Sequence, residues 1–334
     1  MKLKSKGTLM CAAMALVMAL SSCSKEDGGG VADTLIRFSA GLNPVTMAPI
    51  ESDVNGLVTS GALSDIQILR GAEGTTPLFN RLPQGSSSGV PTTTASLDST
   101  GIMVTADQMR YNEDGTAANF MAYYPKNSTV GGAYTAGVTD ADPAHIEWTI
   151  DGMTDLIAAE RVSKSYTASG NNIVQLHFKH LLARLRLRCV CVDDANGALY
   201  QGITEAKITV PNKVYAEINA DGTIEPLQYT SVALADRVEL DFGACEMSQK
   251  GEYAKKDLMI CPKGDGTILD NSLYLKFAGF PDDVAKGYLL TNLKLVAGKT
   301  TTITVTVSGA EPLTISTTIE AWNAVDTGQG WVTE

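Results

Sequence analysis

Asn172 to Val192 reads NIVQLHFKHLLARLRLRCVCV, and each half of the stretch alternates strictly. Leu176, Phe178 and His180 share one parity, and Gln175, His177 and Lys179 share the other. After Leu181-Leu182 the pattern restarts, with Leu185, Leu187, Cys189 and Cys191 on one face and Arg184, Arg186 and Arg188 opposite. A period of two belongs to an extended chain whose side chains point alternately to opposite faces. Two half-buried strands are expected, Asn172–His180 and Ala183–Val192, with the arginines on a solvated outer face.

The same reading extends toward the C-terminus. Ala206–Val210, Val214–Ile218, Val238–Phe242, Leu258–Cys261, Ser272–Phe277, Tyr288–Leu295, Thr301–Val307 and Leu313–Trp322 are expected strands. Ala297-Gly298-Lys299 is expected to turn a hairpin between two of them. Ile303, Val305 and Val307 should face a core, and Thr302, Thr304 and Thr306 solvent. Asp193 to Gly197 reads as a turn.

Toward the N-terminus, Thr34–Ala40 (Thr34, Leu35, Ile36, Arg37, Phe38, Ser39, Ala40) is the first strand, with Ile36, Phe38 and Ala40 on one face. Asn43 to Gly61 carries Pro44, Pro49 and Gly56 without periodicity and reads as a loop. Ser64–Arg70, Thr100–Thr105, Asn119–Tyr124 and His145–Ile150 are further strands. Gly71 to Thr94 reads as loop with one short strand near Leu78, and Ala133 to Asp142 as loop. Asp155–Ser165 is the one helix-like segment. Many short strands at this spacing indicate an all-β protein of sandwich type.

Composition agrees. The chain has 334 residues, enough for two domains, and only 19% of them are charged. The net charge is -11. Such a surface repels phosphate backbones and argues against a nucleic-acid partner. Three histidines offer little material for metal or general-base chemistry.

Residues 1–22 have the layout of a signal peptide: Lys2, Lys4 and Lys6, an apolar run from Leu9 to Leu20, then Ser21-Ser22 before Cys23. The apolar run is too short for a permanent transmembrane helix. Small residues ahead of a cysteine resemble the bacterial lipoprotein signal, in which that cysteine is acylated. This makes Cys23 the expected lipidation site and outer-membrane lipid a partner, with 23–33 a lipidated tether containing Gly28-Gly29-Gly30. Ser24-Lys25-Glu26-Asp27 resembles a surface-export tag of lipoproteins in gut and oral anaerobes.

Catalytic signatures are absent: no HExxH, no GxSxG and no phosphate-cradling glycine loop. No catalytic residue, metal ligand or cofactor is expected. His180 falls on the apolar parity of its strand and reads as a hydrogen-bonded core histidine. Trp148, Trp322 and Trp331 read as core or sheet-end residues rather than a sugar-stacking platform. Cys189, Cys191, Cys245 and Cys261 read as buried thiols, with a cross-strand disulfide or a metal site as the other readings.

The ordered set Asp155-Leu156-Ile157-Ala158-Ala159, Leu176 to Leu185, Gly287-Tyr288-Leu289 through Leu295, Gly298-Lys299, Thr301 to Val307 and Ile319-Glu320-Ala321-Trp322 resembles the fimbrillin family. These are lipoprotein-exported subunits of type V pili. The resemblance implies two transthyretin-like β-sandwich domains in tandem, expected at 34–170 and 171–334. It implies a structural subunit of a surface fimbria that serves adhesion, with other pilin subunits as partners and a host or bacterial surface ligand. It also implies assembly by strand donation: a protease removes the first strand, and the vacated groove takes a strand from the next subunit. Relatives often carry an Arg in a Thr-Arg-Ala setting after that strand, where this chain has Thr46-Met47-Ala48. Between Arg37 and Arg70 there is no basic residue, so those two are the candidate processing sites. The alternative reading is a surface lipoprotein that binds glycan or host protein without polymerising.

Overall fold

The computed structural model describes residues 35–42, 63–72, 78–80, 82, 91–97, 102–112, 114–127, 130–139, 142–167, 172–262, 272–280, 285–290, 293–308 and 313–321. All of them belong to one compact unit, Thr34–Glu334. Outside the described residues lie Cys23 with its tether, Thr34, the expected loop at 43–61, and Trp322 and Trp331.

Nearly all the regular structure among the described residues is strand. In chain order the strands are β1 (Arg37–Leu42), β2 (Ile66–Gly71), β3 (Thr92–Leu97), β4 (Ile102–Thr105), β5 (Ala118–Tyr124), β6 (Ala133–Thr135), β7 (His145–Thr149), β8 (Ile157–Lys164), β9 (Ile173–His180) and β10 (Ala183–Cys191). A helix α1 (Asp194–Tyr200) precedes β11 (Ile203–Pro211), β12 (Lys213–Glu217), β13 (Gln228–Tyr229), β14 (Arg237–Asp241), β15 (Glu252–Tyr253), β16 (Leu258–Ile260), β17 (Ser272–Phe277), β18 (Lys286–Leu289), β19 (Lys299–Val307) and β20 (Leu313–Ala321).

Seven strands close into a ring in the order β1-β4-β3-β2-β5-β8-β9. A ring with an odd number of strands cannot be antiparallel throughout. The one parallel junction lies between β9 and β1, which pair from Arg37↔Ile173 to Leu42↔Phe178. Two further sheets run β14-β11-β17-β18 and β15-β10-β19-β20, the second with β16 also on β10, and a third runs β13-β12-β7-β6.

Alternation assigns side chains to two cores. Ile66 and Ile68 of β2, Phe120 and Ala122 of β5, and Ile157 and Ala159 of β8 fill the ring. The intervening Leu69, Met121, Tyr123 and Ala158 point the other way, into a larger core with Ile146 and Trp148 of β7 and Val214 and Ala216 of β12. The β2-β5-β8 wall is therefore apolar on both faces, as a strand covered on both sides must be. Tyr123 and Trp148 meet edge to face at 5.9 Å on its outer side, in the larger core. The larger core continues through the inner faces of β10, β11, β17 and β19.

Several segments depart from their sequence reading. The helix-like segment at Asp155–Ser165 is β8. Its Ala158, Ala159, Glu160 and Arg161 favour helix by well under 1 kcal/mol each, which the ladders to β5 and β9 outweigh. The turn at Asp193 to Gly197 is the start of α1, where the Asp193 carboxylate caps the helix by accepting from Asn196 N at 2.8 Å. The region assigned to loop before Thr94 contains the start of β3, and Leu78–Asn80 is a turn rather than a strand. Ala133–Thr135, also assigned to loop, is β6.

The strand expected at Tyr288–Leu295 ends at Leu289, and Ala297-Gly298 joins no hairpin. β18 pairs with β17, whereas β19 pairs with β10 and β20. The turn there hands the chain from one sheet to another, with Lys299 N donating to Val296 O at 3.0 Å. Leu181-Leu182 does the same between β9 and β10, which lie in different sheets although two residues apart. Leu181 N donates to Leu156 O, and Leu182 O accepts from Gly298 N. β9, which begins just past residue 170, is a member of the ring. β6 and β7, from before that position, share a sheet with β12 and β13.

Two of the three arginines on the polar face of β10 are not solvated, and Arg188 is half-buried. Arg184 and Arg186 are buried. Both guanidiniums bind Asp257, with Arg184 Nε at 2.5 Å from Oδ2 and Arg186 Nε at 3.0 Å from Oδ1. The Tyr253 ring sits 5.0 Å from the Arg186 guanidinium carbon. An apolar-polar pattern tells which face is polar, and a polar face covered by one carboxylate and one ring gives the same pattern.

Candidate functional site

β1 is the N-terminal strand of the described chain and is built into the ring on both sides. It pairs antiparallel with β4, at Phe38↔Met103 and Ser39↔Ile102, and parallel with β9. Just before it, Ile36 N donates to Met109 O at 3.0 Å, and Leu35 bridges Arg110. Ile36, Phe38 and Ala40 all point into the ring, as the alternation of the sequence required. Phe38 meets Phe120 edge to face with ring centres 5.4 Å apart. The lining around these side chains includes Met103, Val174, Leu176 and Phe178. Fully burying a side chain of Phe or Ile size contributes roughly 1.5–3 kcal/mol. Each ladder hydrogen bond adds about 1 kcal/mol. Taking β1 away would leave a slot flanked by two unpaired strand edges and floored by apolar side chains.

The two candidate processing residues differ in setting. Arg37 is exposed at the start of β1, its backbone paired with Ile173. Arg70 is fully buried in β2. Its Nη1 donates to Arg110 O at 2.7 Å, and its Nη2 to the Asn112 side-chain oxygen. That pair of contacts ties β2 to the segment following β4. Nothing in the sequence around Arg70 flagged burial beyond its position at the end of an apolar strand.

His180 is held in the core. Its Nδ1 lies 2.5 Å from Asp155 Oδ2, and both side chains are buried at the end of β9 where it meets β8. His177 faces away from the ring core on β9. Trp148 is buried and presents no stacking face to solvent. Cys189, Cys191, Cys245 and Cys261 are all buried free thiols. Burial pushes the Cys261 thiol up to about 12, a group that stays protonated and unreactive at neutral pH. Among the described residues no three His, Cys, Asp or Glu side chains gather as a metal site.

Residues 76–322 match the family model described as fimbrillin-like. The chain belongs to the fimbrillin-like family. It is thus a pilus-type surface protein that interacts with other pilin subunits, and it is not an enzyme. Solved structures with the same fold include a fimbrial protein of Bacteroides vulgatus, at 14% identity and TM-score 0.55 over 86% of this chain and 99% of that one. Two candidate cell adhesion proteins, from Bacteroides uniformis and Bacteroides ovatus, each match at 16% identity and TM-score 0.53. They cover 87% and 88% of this chain and all of their own. No protein with a curated description matches. In this fimbrillin-like chain, the sequence pattern only partly marks the residues that line the β1 slot from other strands. Val174, Leu176 and Phe178 were signalled by the alternation of β9. Met103 and Phe120 carried no signal that tied them to β1.

Proposed function

We propose that this chain is exported as a lipoprotein acylated at Cys23, reaches the outer face of the outer membrane, and joins a fimbria by strand donation through the slot that β1 fills. The supporting observation is the place of β1 in the ring. It is the described strand nearest the N-terminus, it is flanked by β4 and β9, and it supplies Phe38 to the core. A donated strand would need apolar side chains at alternate positions to fill the spaces of Ile36, Phe38 and Ala40, with backbone hydrogen bonds supplying the rest. Keeping the slot filled until the surface is reached protects two strand edges from unwanted pairing. Adhesion to a host or bacterial surface ligand is the role proposed for the assembled fimbria. In this reading the mature chain forms two tandem sandwich domains, 34–170 and 171–334, with β9 lent by the second stretch to the first and β6 and β7 by the first to the second.

The setting of the basic residues favours a second reading, in which β1 is never removed and the subunit stays on the membrane as an anchor or accessory. Arg70 is buried, Arg37 is within a doubly paired strand, and 38–69 contains no Lys or Arg. Intact mass and N-terminal sequencing of the subunit in purified surface filaments distinguish the two. An N-terminus beyond Leu42 supports strand exchange. An acylated Cys23 in filament-bound chains supports the anchor, and a lipidated chain found only as a monomer overturns both.

A further inference from the structure

Cys189 and Cys245 come from distant parts of the sequence and meet in the larger core. Cys189 lies on the inner face of β10, where its partner across the antiparallel pair with β15 is Glu252. Cys245 lies ahead of β15 and pairs with Ile203. Its thiol faces two backbone carbonyls, Glu252 O at 3.3 Å and Glu246 O at 3.5 Å. Glu252 therefore stands beside both cysteines, and the Cys189 thiol is within side-chain hydrogen-bonding reach of Cys245. The other two thiols have different neighbours. Cys191 faces α1, where a Cβ on Gly197 would lie 3.2 Å from its sulfur. Cys261 donates to Leu227 O at 3.7 Å, and its own carbonyl accepts from the Tyr229 hydroxyl at 3.1 Å.

We propose that Cys189 and Cys245 form a disulfide that staples β10 to the segment ahead of β15, while Cys191 and Cys261 remain thiols. The oxidant is an external disulfide. One cysteine thiolate attacks it and displaces a thiol, leaving a mixed disulfide. The second cysteine attacks that bond and displaces the other thiol. Two protein thiols are oxidised to one disulfide, and the external disulfide is reduced to two thiols. In the reduced folded chain, the contact with Cys245 and then burial hold the Cys189 thiol far above its ordinary range. Thiolate is scarce there, so the exchange belongs to folding, before the sheets cover the pair. The bond closes a long loop and limits the freedom of the unfolded chain. A surface fibre subunit gains resistance to unfolding from it, whichever way its first strand is handled.

The test uses the full chain, unfolded under reducing conditions and refolded with oxidised and reduced glutathione. Thiols are then alkylated, and the digest is read by mass spectrometry. The expected result is a linked peptide pair holding Cys189 and Cys245, with Cys191 and Cys261 alkylated. The link should vanish in Cys189→Ser and in Cys245→Ser and persist in Cys191→Ser. Reduction of the refolded wild-type chain should lower Tm by several degrees. Alkylation of all four core cysteines in the wild-type chain, or a link through Cys191 or Cys261, overturns the proposal. The wild-type digest reads this even where a variant fails to fold.

Discussion

The first and last strands of the described chain are held in opposite ways. β1 has a partner on each side and sends Ile36, Phe38 and Ala40 into a closed core. β20 has a single described partner, β19, along nine paired positions. Its Thr314, Ser316 and Thr318 are exposed, Ile315 is half-buried, and Ile319 is 46% exposed. One strand is secured by two ladders and a core, the other by one ladder and little apolar burial. A strand of the first kind cannot leave without a replacement of the same pattern. A strand of the second kind can be re-paired with its ladder kept and little apolar core lost.

Substitutions along the chain test that contrast. Phe38→Ala should cost about 3–5 kcal/mol in denaturant unfolding, because a filled ring core has little room to collapse around the cavity. A loss under about 1 kcal/mol would break the comparison at its strongest point. Asp155→Ala should cost about 3 kcal/mol by leaving buried His180 without its carboxylate. That change acts where β8 meets the end of β9, so it reports on the wall beside the β1 seam.

Tyr111 sharpens the picture at the seam itself. It donates to Asn172 O at 2.8 Å, just ahead of β9, and burial lifts its hydroxyl from 10.0 to about 12. The unfolded chain releases this proton near pH 10 and the folded chain only near 12. Stability from this group is therefore complete below pH 10 and lost as pH rises toward 12. Tyr111→Phe should cost about 1 kcal/mol at neutral pH and flatten the alkaline fall in Tm. An unchanged alkaline slope would show that the phenol titrates freely and that the seam is open to water. The smallest effect is expected at Ile319→Ala on β20, within about 0.5 kcal/mol of the parent. A cost rivalling that of Phe38→Ala would mean that β20 is as deeply held as β1.

How far the sequence could be read depended on what decided each element. The alternation of Ile173–His180 carried through intact: Leu176, Phe178 and His180 are buried, and Gln175, His177 and Lys179 are exposed. On Ala183–Cys191 the inward set was legible but the fate of the arginines was not, because Asp257 and Tyr253 reach them from far along the chain. β8 reads as helix because its alanines lean toward helix, by less than the ladders to two neighbouring strands supply. For α1 a local signal is present in the sequence: Asp193 is a capping residue ahead of a short run that Gln201 ends in a left-handed conformation, with φ 57°. The slot around β1 was half legible, since Phe38 and the β9 residues showed their parity, whereas Met103 and Phe120 joined them only through sheet order.

Which residues extend, and which of their faces are apolar, follows from side-chain geometry within a few positions. That local rule was enough for an all-β chain with β1, β9, β10 and β19 near their expected places. Which strands become neighbours is a property of edges, and an edge takes its partner from anywhere in the chain. So β9 and β10, separated by two leucines, went to different sheets, and β18 and β19 parted at Ala297-Gly298. β1 met β9 in parallel across more than a hundred residues because a ring of seven strands needs such a junction. The alternation of Ile36, Phe38 and Ala40 is written in the sequence, and the slot that they fill exists only once the ring closes.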